Sequence, residues 1–181
     1  SIGQFDFIYD RTVTINGVSK GFAMTGWRGG FLAAPKWIAQ ACDKMQGQFT
    51  SATSSITQKA MYTAMMMDAS STHYMRDAFL RRRDLMLKEV KDIPGFKLSI
   101  PDGAYYLYPE VSYYFGKKKP DGDVIEDADA LCMYLLNDAN VTVVTGKAFG
   151  EPACIRISFA NSLENIEKGF GKIANALAAL S

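Results

Sequence analysis

Residues 16–30 read Asn16-Gly17-Val18-Ser19-Lys20-Gly21-Phe22-Ala23-Met24-Thr25-Gly26-Trp27-Arg28-Gly29-Gly30. In this segment Lys20 lies between two small residues, and Arg28 follows it by eight positions. An amine that forms a Schiff base needs to lose its proton and needs room for a planar adduct, which small neighbours and a nearby cation favour. The planar guanidinium of Arg28 also suits a phosphate, which it can bind through two hydrogen bonds. Most lysines in loops are merely solvated, and an arginine beside a tryptophan is usually a packed surface group, so the pattern alone leaves both interpretations open.

The residues around this segment predict a strand, a loop, a second strand and a helix, in that order. Residues 11–18 are rich in β-branched side chains and end in small residues, which indicates a buried strand. Residues 29–34 form a second short apolar run that ends at Pro35. Because proline is well placed in the first turn of a helix, we predict a helix over 36–46. This order of elements is typical of an α/β layered fold.

Two further helices are predicted after a stretch rich in serine and threonine. Residues 48–57 indicate a loop or the start of a helix, and a helix follows over 58–67. Apolar residues near helical spacing predict a long helix over 71–91, which Pro94 and Gly95 end. A helix of about 20 residues spans about 30 Å, enough to leave one domain and begin another.

The rest of the chain alternates short strands with helices. Short strands are predicted over 96–100 and 104–108, and the turn signature Pro101-Asp102-Gly103 between them predicts a hairpin. Asn161 and Glu164 resemble a capping box at the start of the last helix. The other predicted elements are a helix over 128–137, strands over 141–145 and 154–159, and a final helix from 161 or 162 to 180.

The composition argues against several classes of protein. There are 20 Lys and Arg against 19 Asp and Glu, a net charge of +1, so no basic surface for nucleic acid is indicated. No apolar stretch in 1–181 approaches the roughly 18 residues that span a bilayer. The first residues do not show the basic-then-apolar pattern of a leader, so we expect none. Three dispersed cysteines and one histidine indicate neither a disulfide framework nor a metal site. We therefore expect a packed cytoplasmic protein without a metal, a nucleic-acid partner or a membrane partner.

The segment around Lys20 resembles the pyridoxal-phosphate attachment signature of the class I and II aminotransferases. The resemblance rests on Ser19-Lys20 followed by Ala23-Met24-Thr25-Gly26-Trp27-Arg28. One position departs from the family pattern, because Gly29 stands where an aliphatic residue is usual, and this departure concerns the packing of the next strand. The family, typified by aspartate aminotransferase, has the α/β architecture called fold type I. The resemblance therefore implies the C-terminal part of its large cofactor domain followed by its small α/β domain.

Three later segments extend the resemblance along the chain. Residues 101–109 resemble the family segment Pro-x-Gly-Ala-Phe-Tyr-x-Phe-Pro, and residues 146–150 resemble its Pro-Gly-x-x-Phe-Gly loop, with Thr145 where proline is common. Residues 155–160 resemble the strand whose arginine binds the substrate α-carboxylate. Alternation along a strand places one set of side chains in the core and leaves the other for a ligand. The first set is Ile155, Ile157 and Phe159, and the second is Arg156, Ser158 and Ala160.

The resemblance implies a role for each matching residue. Lys20 is expected to carry pyridoxal 5'-phosphate as a Schiff base and to be the base that moves the substrate proton. Arg28 and Ser19 are expected to bind the cofactor phosphate, although the family hydroxyl often lies three residues before the lysine, where this chain has Gly17. Arg156 is expected to bind the carboxylate of the substrate.

A contact between subunits is also implied. Thr50 and Ser51 lie where family members often reach across a dimer interface toward the cofactor phosphate of the neighbouring subunit. A place at the start of a helix is the alternative interpretation. We therefore expect a homodimer, with these two residues as candidates for a cross-subunit phosphate contact.

The matching segments correspond to the C-terminal half of the family's length. We expect a chain in which 1–83 is the end of the large cofactor domain and 84–181 is the small domain. The implied parent enzyme transfers an amino group from an L-amino acid to a 2-oxo acid by a ping-pong reaction, with aspartate or aromatic amino acids as substrates. In the family the residues that contact the cofactor ring lie upstream. The alternative is therefore a chain that is catalytically incompetent alone, or an aminotransferase-like binding module.

Overall fold

The structure is a computed structural model that describes residues 2–181. Its contacts group into two units, one that ends at Tyr74 and one that spans Met75–Ser181. The first predicted domain begins at Ser1, which lies outside the described residues. The division into 1–83 and 84–181 stays a prediction.

Two short antiparallel strands form the sheet of the N-terminal unit. They are β1 (Thr14–Gly17) and β2 (Gly30–Ala33), and their register pairs Thr14 with Ala33 and Gly17 with Gly30. The last residue of β1 lies opposite the first residue of β2. The loop that connects the two strands therefore starts and ends at the same end of the ladder.

This two-stranded ribbon differs from the prediction in length and in burial. A short helix, α1 (Asp6–Tyr9), precedes it. Both strands are shorter than the predicted 11–18 and 29–34, because a strand extends only as far as a partner supplies hydrogen bonds. The prediction that 11–18 is a buried strand is wrong for this chain, since all four residues of β1 are exposed.

Two helices complete the N-terminal unit, and a third begins at its end and lies mostly in the C-terminal unit. They are α2 (Lys36–Phe49), α3 (Ser55–Met66) and α4 (His73–Lys91). The start of α2 directly after Pro35 is confirmed. The predicted end at 46 is wrong, because α2 continues through Gly47, and one glycine inside a helix costs only about 1 kcal/mol relative to alanine. The start of α3 lies three residues before the predicted 58, and α4 follows the predicted 71–91 closely.

The N-terminal unit buries few side chains. Val18, Met61 and Ala64 are its buried apolar residues, and Thr57 is buried beside them. Apolar surface that stays exposed to this extent is typical of a face that another layer of protein covers. The exposed large apolar residues of its helices include Trp37, Phe49, Ile56, Tyr62 and Met66.

A three-stranded antiparallel sheet lies in the C-terminal unit, in the order β3-β5-β4. Its strands are β3 (Tyr106–Leu107), β4 (Val144–Thr145) and β5 (Ile155–Ser158), and its two further helices are α5 (Ala128–Asn137) and α6 (Leu163–Ala178). The helix over 128–137 is therefore confirmed, while β4 and β5 are shorter than the predicted 141–145 and 154–159.

The central strand β5 has one face in the core. Ile155, Ile157 and Phe159 are 0, 7 and 2% exposed and belong to the hydrophobic cluster of this unit. Arg156 is half-buried and Ser158 is exposed on the other face. The predicted alternation along this strand is thus confirmed.

The predicted hairpin across Pro101-Asp102-Gly103 is wrong. Residues 96–100 form no strand, and their one pairing is an isolated bridge between Lys97 and Glu110. β3 pairs with β5 instead, with Tyr106 opposite Ser158. Turn residues favour a local reversal of the chain, but a ladder forms where a partner strand is available, and here that partner lies far along the sequence.

The start of α6 also differs from the prediction. The N-cap is Ser162, whose Oγ accepts a hydrogen bond from the Asn165 backbone N–H at 3.1 Å. The predicted capping box of Asn161 and Glu164 is wrong, because Glu164 is then the second residue of the helix, where it cannot serve as the third-position partner. Asn161 Oδ1 accepts instead from the side-chain amide of Asn165 at 3.0 Å.

Candidate functional site

The Lys20 segment forms a closed loop between β1 and β2. At its base the backbone N–H of Val18 donates to the carbonyl of Gly29 at 3.4 Å, directly beyond the Gly17–Gly30 pair. The two ends of the loop are therefore adjacent, and Lys20 and Arg28 each lie within two residues of one of these ends.

Val18 anchors the first half of this loop. Its side chain is fully buried, and its carbonyl accepts hydrogen bonds from the N–H groups of Phe22 at 3.3 Å and Met24 at 3.4 Å. The Lys20 carbonyl accepts from the Ala23 N–H at 3.1 Å. These bonds fold the chain tightly around Val18, and they leave the Lys20 side chain exposed at the outside of the turn.

Arg28 holds a strained backbone conformation at the end of the loop. It follows a single 3₁₀ turn, Thr25–Trp27, and has φ 52° and ψ 48°, in the left-handed region. Such a conformation costs a non-glycine residue about 1 kcal/mol or more, and it persists only where the surroundings impose it. Its Nη1 donates to the Thr25 carbonyl at 2.9 Å, which uses one of the five N–H donors of an exposed guanidinium.

The chemistry of this loop fits the cofactor that the sequence implies. A primary amine suits the aldehyde of pyridoxal phosphate, and a guanidinium and a hydroxyl suit its phosphate. The structure brings Lys20, Ser19 and Arg28 onto one loop, with Ser19 half-buried. The roles of these three residues stay predictions.

Thr50 and Ser51 lie at the end of α2. The backbone N–H of Thr50 donates to the Gln46 carbonyl at 3.0 Å, and Thr50 Oγ1 accepts from the Gln46 side chain. Ser51 is exposed and has a φ of 64°. The alternative that they begin a helix is wrong, because α3 starts only at Ser55, whereas their contact with a neighbouring subunit stays a prediction.

Arg156 lies over two aromatic rings of the C-terminal unit. Its guanidinium carbon is 4.3 Å from the ring centroid of Tyr106 and 4.2 Å from that of Phe149. Tyr106 comes from β3, and Phe149 from a 3₁₀ turn after β4, Gly146–Phe149. Contacts of this kind restrict the orientation of the guanidinium, so that its N–H edge can meet a planar carboxylate.

The turn that carries Phe149 is held by the side chain of Tyr108. Tyr108 donates its hydroxyl hydrogen to the Gly146 carbonyl at 3.1 Å, and its ring meets that of Phe149 edge-on. Burial raises the pKa of the Tyr108 hydroxyl, so it stays a donor at neutral pH. Asp129 of α5 also contacts this region of the chain. Its pKa is lowered, mainly by a hydrogen bond with Thr145 and to a smaller extent by one with Lys147.

Gly146→Ala is expected to lower the free energy of unfolding by about 3 kcal/mol. The added Cβ would lie 2.5 Å from the Cys154 carbonyl oxygen and would also clash with the carbonyl oxygen of Glu151. These are backbone atoms that cannot rotate away, so the turn must shift and carry Phe149 with it. Urea unfolding of the full-length protein, followed by circular dichroism, measures the loss.

Gly171→Ala is the matched control for that substitution. Gly171 lies in α6, and a Cβ added there meets no atom within 4 Å. Alanine inside a helix is favoured over glycine by about 0.5–1 kcal/mol, so this variant should be neutral or more stable. An equal loss of stability in both variants would contradict the role of the close contacts at Gly146.

The sequence did not predict which residues contact Arg156 or the backbone next to Arg28. Tyr106 and Phe149 lie inside the matched family segments, which was the available signal for them. Thr57 donates its hydroxyl hydrogen to the Trp27 carbonyl at 2.9 Å, next to Arg28, and its only signal was a place in a Ser/Thr-rich stretch.

Three further properties concern the part of the chain that the structure describes. Within residues 2–181, no three His, Cys, Asp or Glu side chains are grouped so that they could bind a metal ion. Every helix in the same range is too short or too polar to cross a membrane. Cys42, Cys132 and Cys154 are free thiols.

Comparison with known proteins places this chain in a family. The sequence pattern of the family described as aminotransferase class I and II matches residues 7–173. A bifunctional aspartate aminotransferase and glutamate/aspartate-prephenate aminotransferase from Petunia hybrida is 43% identical over 183 residues, which cover 99% of this chain and 38% of the relative. An aspartate aminotransferase from Rhizobium meliloti (strain 1021) is 39% identical over 172 residues, covering 95% of this chain and 42% of the relative. The chain thus spans about two fifths of the length of these relatives.

Solved structures agree with the sequence comparison. The crystal structure of the aspartate aminotransferase from Rhizobium meliloti matches with a TM-score of 0.92 at 39% identity, over 95% of this chain and 43% of that one. The aromatic aminotransferase from Pyrococcus horikoshii OT3 matches with a TM-score of 0.88 at 32% identity, over 98% of this chain and 46% of that one. The α/β fold is therefore that of fold type I, and the chain belongs to the class I and II aminotransferase family.

Proposed function

We propose that this chain supplies the lysine and the anion-binding side chains of a pyridoxal-phosphate-dependent aminotransferase. The enzyme transfers an amino group from an L-amino acid to a 2-oxo acid. The observation that carries the proposal is the closed loop between β1 and β2, because its two ends are adjacent and Lys20 and Arg28 each lie within two residues of one of them. Membership of the family supports it.

Each residue of the loop has a distinct task in this proposal. The Nζ of Lys20 would hold the cofactor through its aldehyde group, with loss of water, and as a free amine it would accept the proton from the substrate Cα. Arg28 and Ser19 bind the phosphate, and they keep the ring from moving while that proton is transferred. When bound, pyridoxal phosphate supplies the electron sink for the negative charge that develops at Cα.

Arg156 binds the α-carboxylate of the substrate. Its two aromatic neighbours orient the guanidinium, so a carboxylate can accept two parallel hydrogen bonds from it. The amino donor and the amino acceptor both carry this carboxylate, so the two would occupy the same Arg156 site in turn. The first product therefore leaves before the second substrate binds, which is a ping-pong sequence.

The side chain of the substrate is proposed to be that of aspartate or an aromatic amino acid. Relatives named as aspartate, aspartate/prephenate and aromatic aminotransferases support this class. No arginine occurs between Arg28 and Arg76, so an arginine that binds a side-chain carboxylate is not taken from that region. A panel of amino acids assayed for 2-oxo acid, ammonia and the D-isomer separates transamination from elimination and racemisation.

We also propose a homodimer located in the cytoplasm. The exposed apolar side chains of α2 and α3 support an assembly that covers them, with Thr50 and Ser51 near the partner's cofactor phosphate. Three free thiols are typical of a reducing compartment. Sedimentation of the full-length protein as a monomer would contradict the dimer.

Reduction with borohydride tests the proposed function. The full-length protein is incubated with pyridoxal phosphate, treated with borohydride and digested, and the labelled peptide is located by mass spectrometry. The label is expected on Lys20, and it should be absent from that peptide in Lys20→Arg. Equal labelling of many exposed lysines, with no preference for Lys20, would contradict the proposal.

We propose that the 181-residue chain by itself does not catalyse amino-group transfer. In the family the contacts to the cofactor ring come from upstream of the matched region, and this chain spans about two fifths of its relatives' length. The cofactor acts as an electron sink only while its ring nitrogen is held protonated. Turnover by the 181-residue chain at the rate of the full-length protein would contradict this second proposal.

A further inference from the structure

One face of α3 contacts the backbone on both sides of Arg28. Thr57 and Met61 lie one helical turn apart on this face. The Thr57 hydroxyl donates to the carbonyl of Trp27, the residue before Arg28, at 2.9 Å. Gly29, the residue after Arg28, is buried against the Met61 side chain and the Thr57 methyl group.

These contacts are close and largely excluded from water. Thr57 is 6% exposed, and no other Ser, Thr, Asn, Gln or charged residue in the range 2–181 is as deeply buried. A Cβ added at Gly29 would lie 2.9 Å from Thr57 Cγ2 and would overlap Met61 Sδ. The departure from the family pattern at Gly29 therefore has a local explanation, because the Met61 side chain fills the space of the missing aliphatic group.

The position of these contacts matters because the backbone of Arg28 is left-handed. A non-glycine residue holds such a conformation only when its neighbours fix the peptide groups on either side. The Thr57 hydroxyl fixes the peptide before Arg28, and the packing of Gly29 fixes the peptide after it. Both constraints come from a segment about 30 residues further along the chain.

We propose that Thr57 is a positioning residue for the phosphate-binding site, in which its hydrogen bond to the Trp27 carbonyl holds Arg28 in the conformation that binds the cofactor phosphate. The inference rests on the proposed function, since it assumes that Arg28 binds that phosphate. Thr57 touches neither the cofactor nor the substrate in this proposal. It acts through the backbone of Arg28.

Thr57→Val tests the inference, because valine keeps the shape of threonine and removes the hydroxyl. The Trp27 carbonyl then loses its buried partner, and the left-handed conformation of Arg28 loses one of its constraints. In the full-length variant we expect the dissociation constant for pyridoxal phosphate to rise about tenfold. This corresponds to a loss of about 1.4 kcal/mol in binding free energy. The dissociation constant for pyridoxal, which has no phosphate, should stay within about twofold of the wild-type value, since only contacts to the phosphate are weakened.

Two further variants separate positioning from general loss of structure. Thr57→Ser restores the hydroxyl and should restore the affinity for pyridoxal phosphate. In an Arg28→Gln background, Thr57→Val should cause no further loss, because the side chain that it positions is already absent. The ratio of the two dissociation constants does not depend on the fraction of protein that is folded, so reduced stability cannot imitate the expected result.

The failure of this inference differs from the failure of the proposed function. If the wild-type protein binds pyridoxal phosphate and Thr57→Val binds it equally well, the inference alone is overturned. It is also overturned if the variant loses pyridoxal and pyridoxal phosphate to the same extent. If the wild-type protein shows no preference for pyridoxal phosphate over pyridoxal, both the inference and the assignment of Arg28 are overturned.

Discussion

Lys20→Ala is expected to lower the rate of amino-group transfer by about 10⁴-fold or more. One side chain supplies both the point at which the cofactor is attached and the base that moves the substrate proton, so its removal eliminates two contributions together. The full-length variant is assayed for conversion of the amino donor into its 2-oxo acid. Because the Lys20 side chain is exposed, the substitution should shift the unfolding midpoint of the cofactor-free protein only slightly.

Two further variants serve as controls for Lys20→Ala. Lys20→Arg keeps the positive charge but offers no amine that can form a Schiff base at neutral pH, so it should be as inactive as the alanine variant. Lys168→Ala removes an exposed lysine from α6 and should retain full activity. Activity of Lys20→Arg near the wild-type rate would show that only the charge at this position matters.

Arg156→Lys is expected to lower kcat/KM by about 100-fold, mainly through an increase in KM. Lysine keeps the charge, but it has no planar fork for two parallel hydrogen bonds and stacks less well on aromatic rings. The guanidinium carbon lies within 4.3 Å of the Tyr106 and Phe149 ring centroids, so both of these contacts are altered at once. Steady-state kinetics of the full-length variant with an L-amino acid measure the change.

A substrate that lacks the α-carboxylate shows whether Arg156→Lys acts by weakening carboxylate binding or by disturbing the structure. The amine that corresponds to the amino acid lacks the group that Arg156 is proposed to bind, so its slow reaction should be nearly the same in the variant and the wild type. Arg82→Lys is the matched control, because the Arg82 guanidinium carbon lies 5.1 Å from the Phe79 ring centroid but has no proposed substrate contact. If Arg156→Lys lowers kcat/KM equally for the amine and for the amino acid, the proposal that Arg156 binds the substrate carboxylate is contradicted.

Much of the architecture around the site could be predicted from the sequence. The loop from 18 to 29 lies between two strands and a helix begins after Pro35, because β-branched runs, glycines and proline act over a few residues. The alternation along β5 was also predictable, since a period of two is a local property of the sequence.

Other features depended on which segments meet. The turn signature at Pro101-Asp102-Gly103 predicts a hairpin, but β3 pairs with β5, about 50 residues further along the chain. The capping box failed by one residue, because Ser162 and Asn161 are both good caps and local preference does not rank them. Sequence patterns state what a segment can form, and the available partners decide what it forms.

The sequence by itself determined the family and the candidate lysine and arginines, because these depend on residue types at fixed spacing within short segments of the chain. Only the tertiary structure showed that Thr57 and Met61 pack against the backbone on both sides of Arg28, and that Tyr106 and Phe149 lie against Arg156. Those contacts join residues that are distant in the chain. Their formation depends on the packing of helices and strands in three dimensions, which no local pattern of residues encodes.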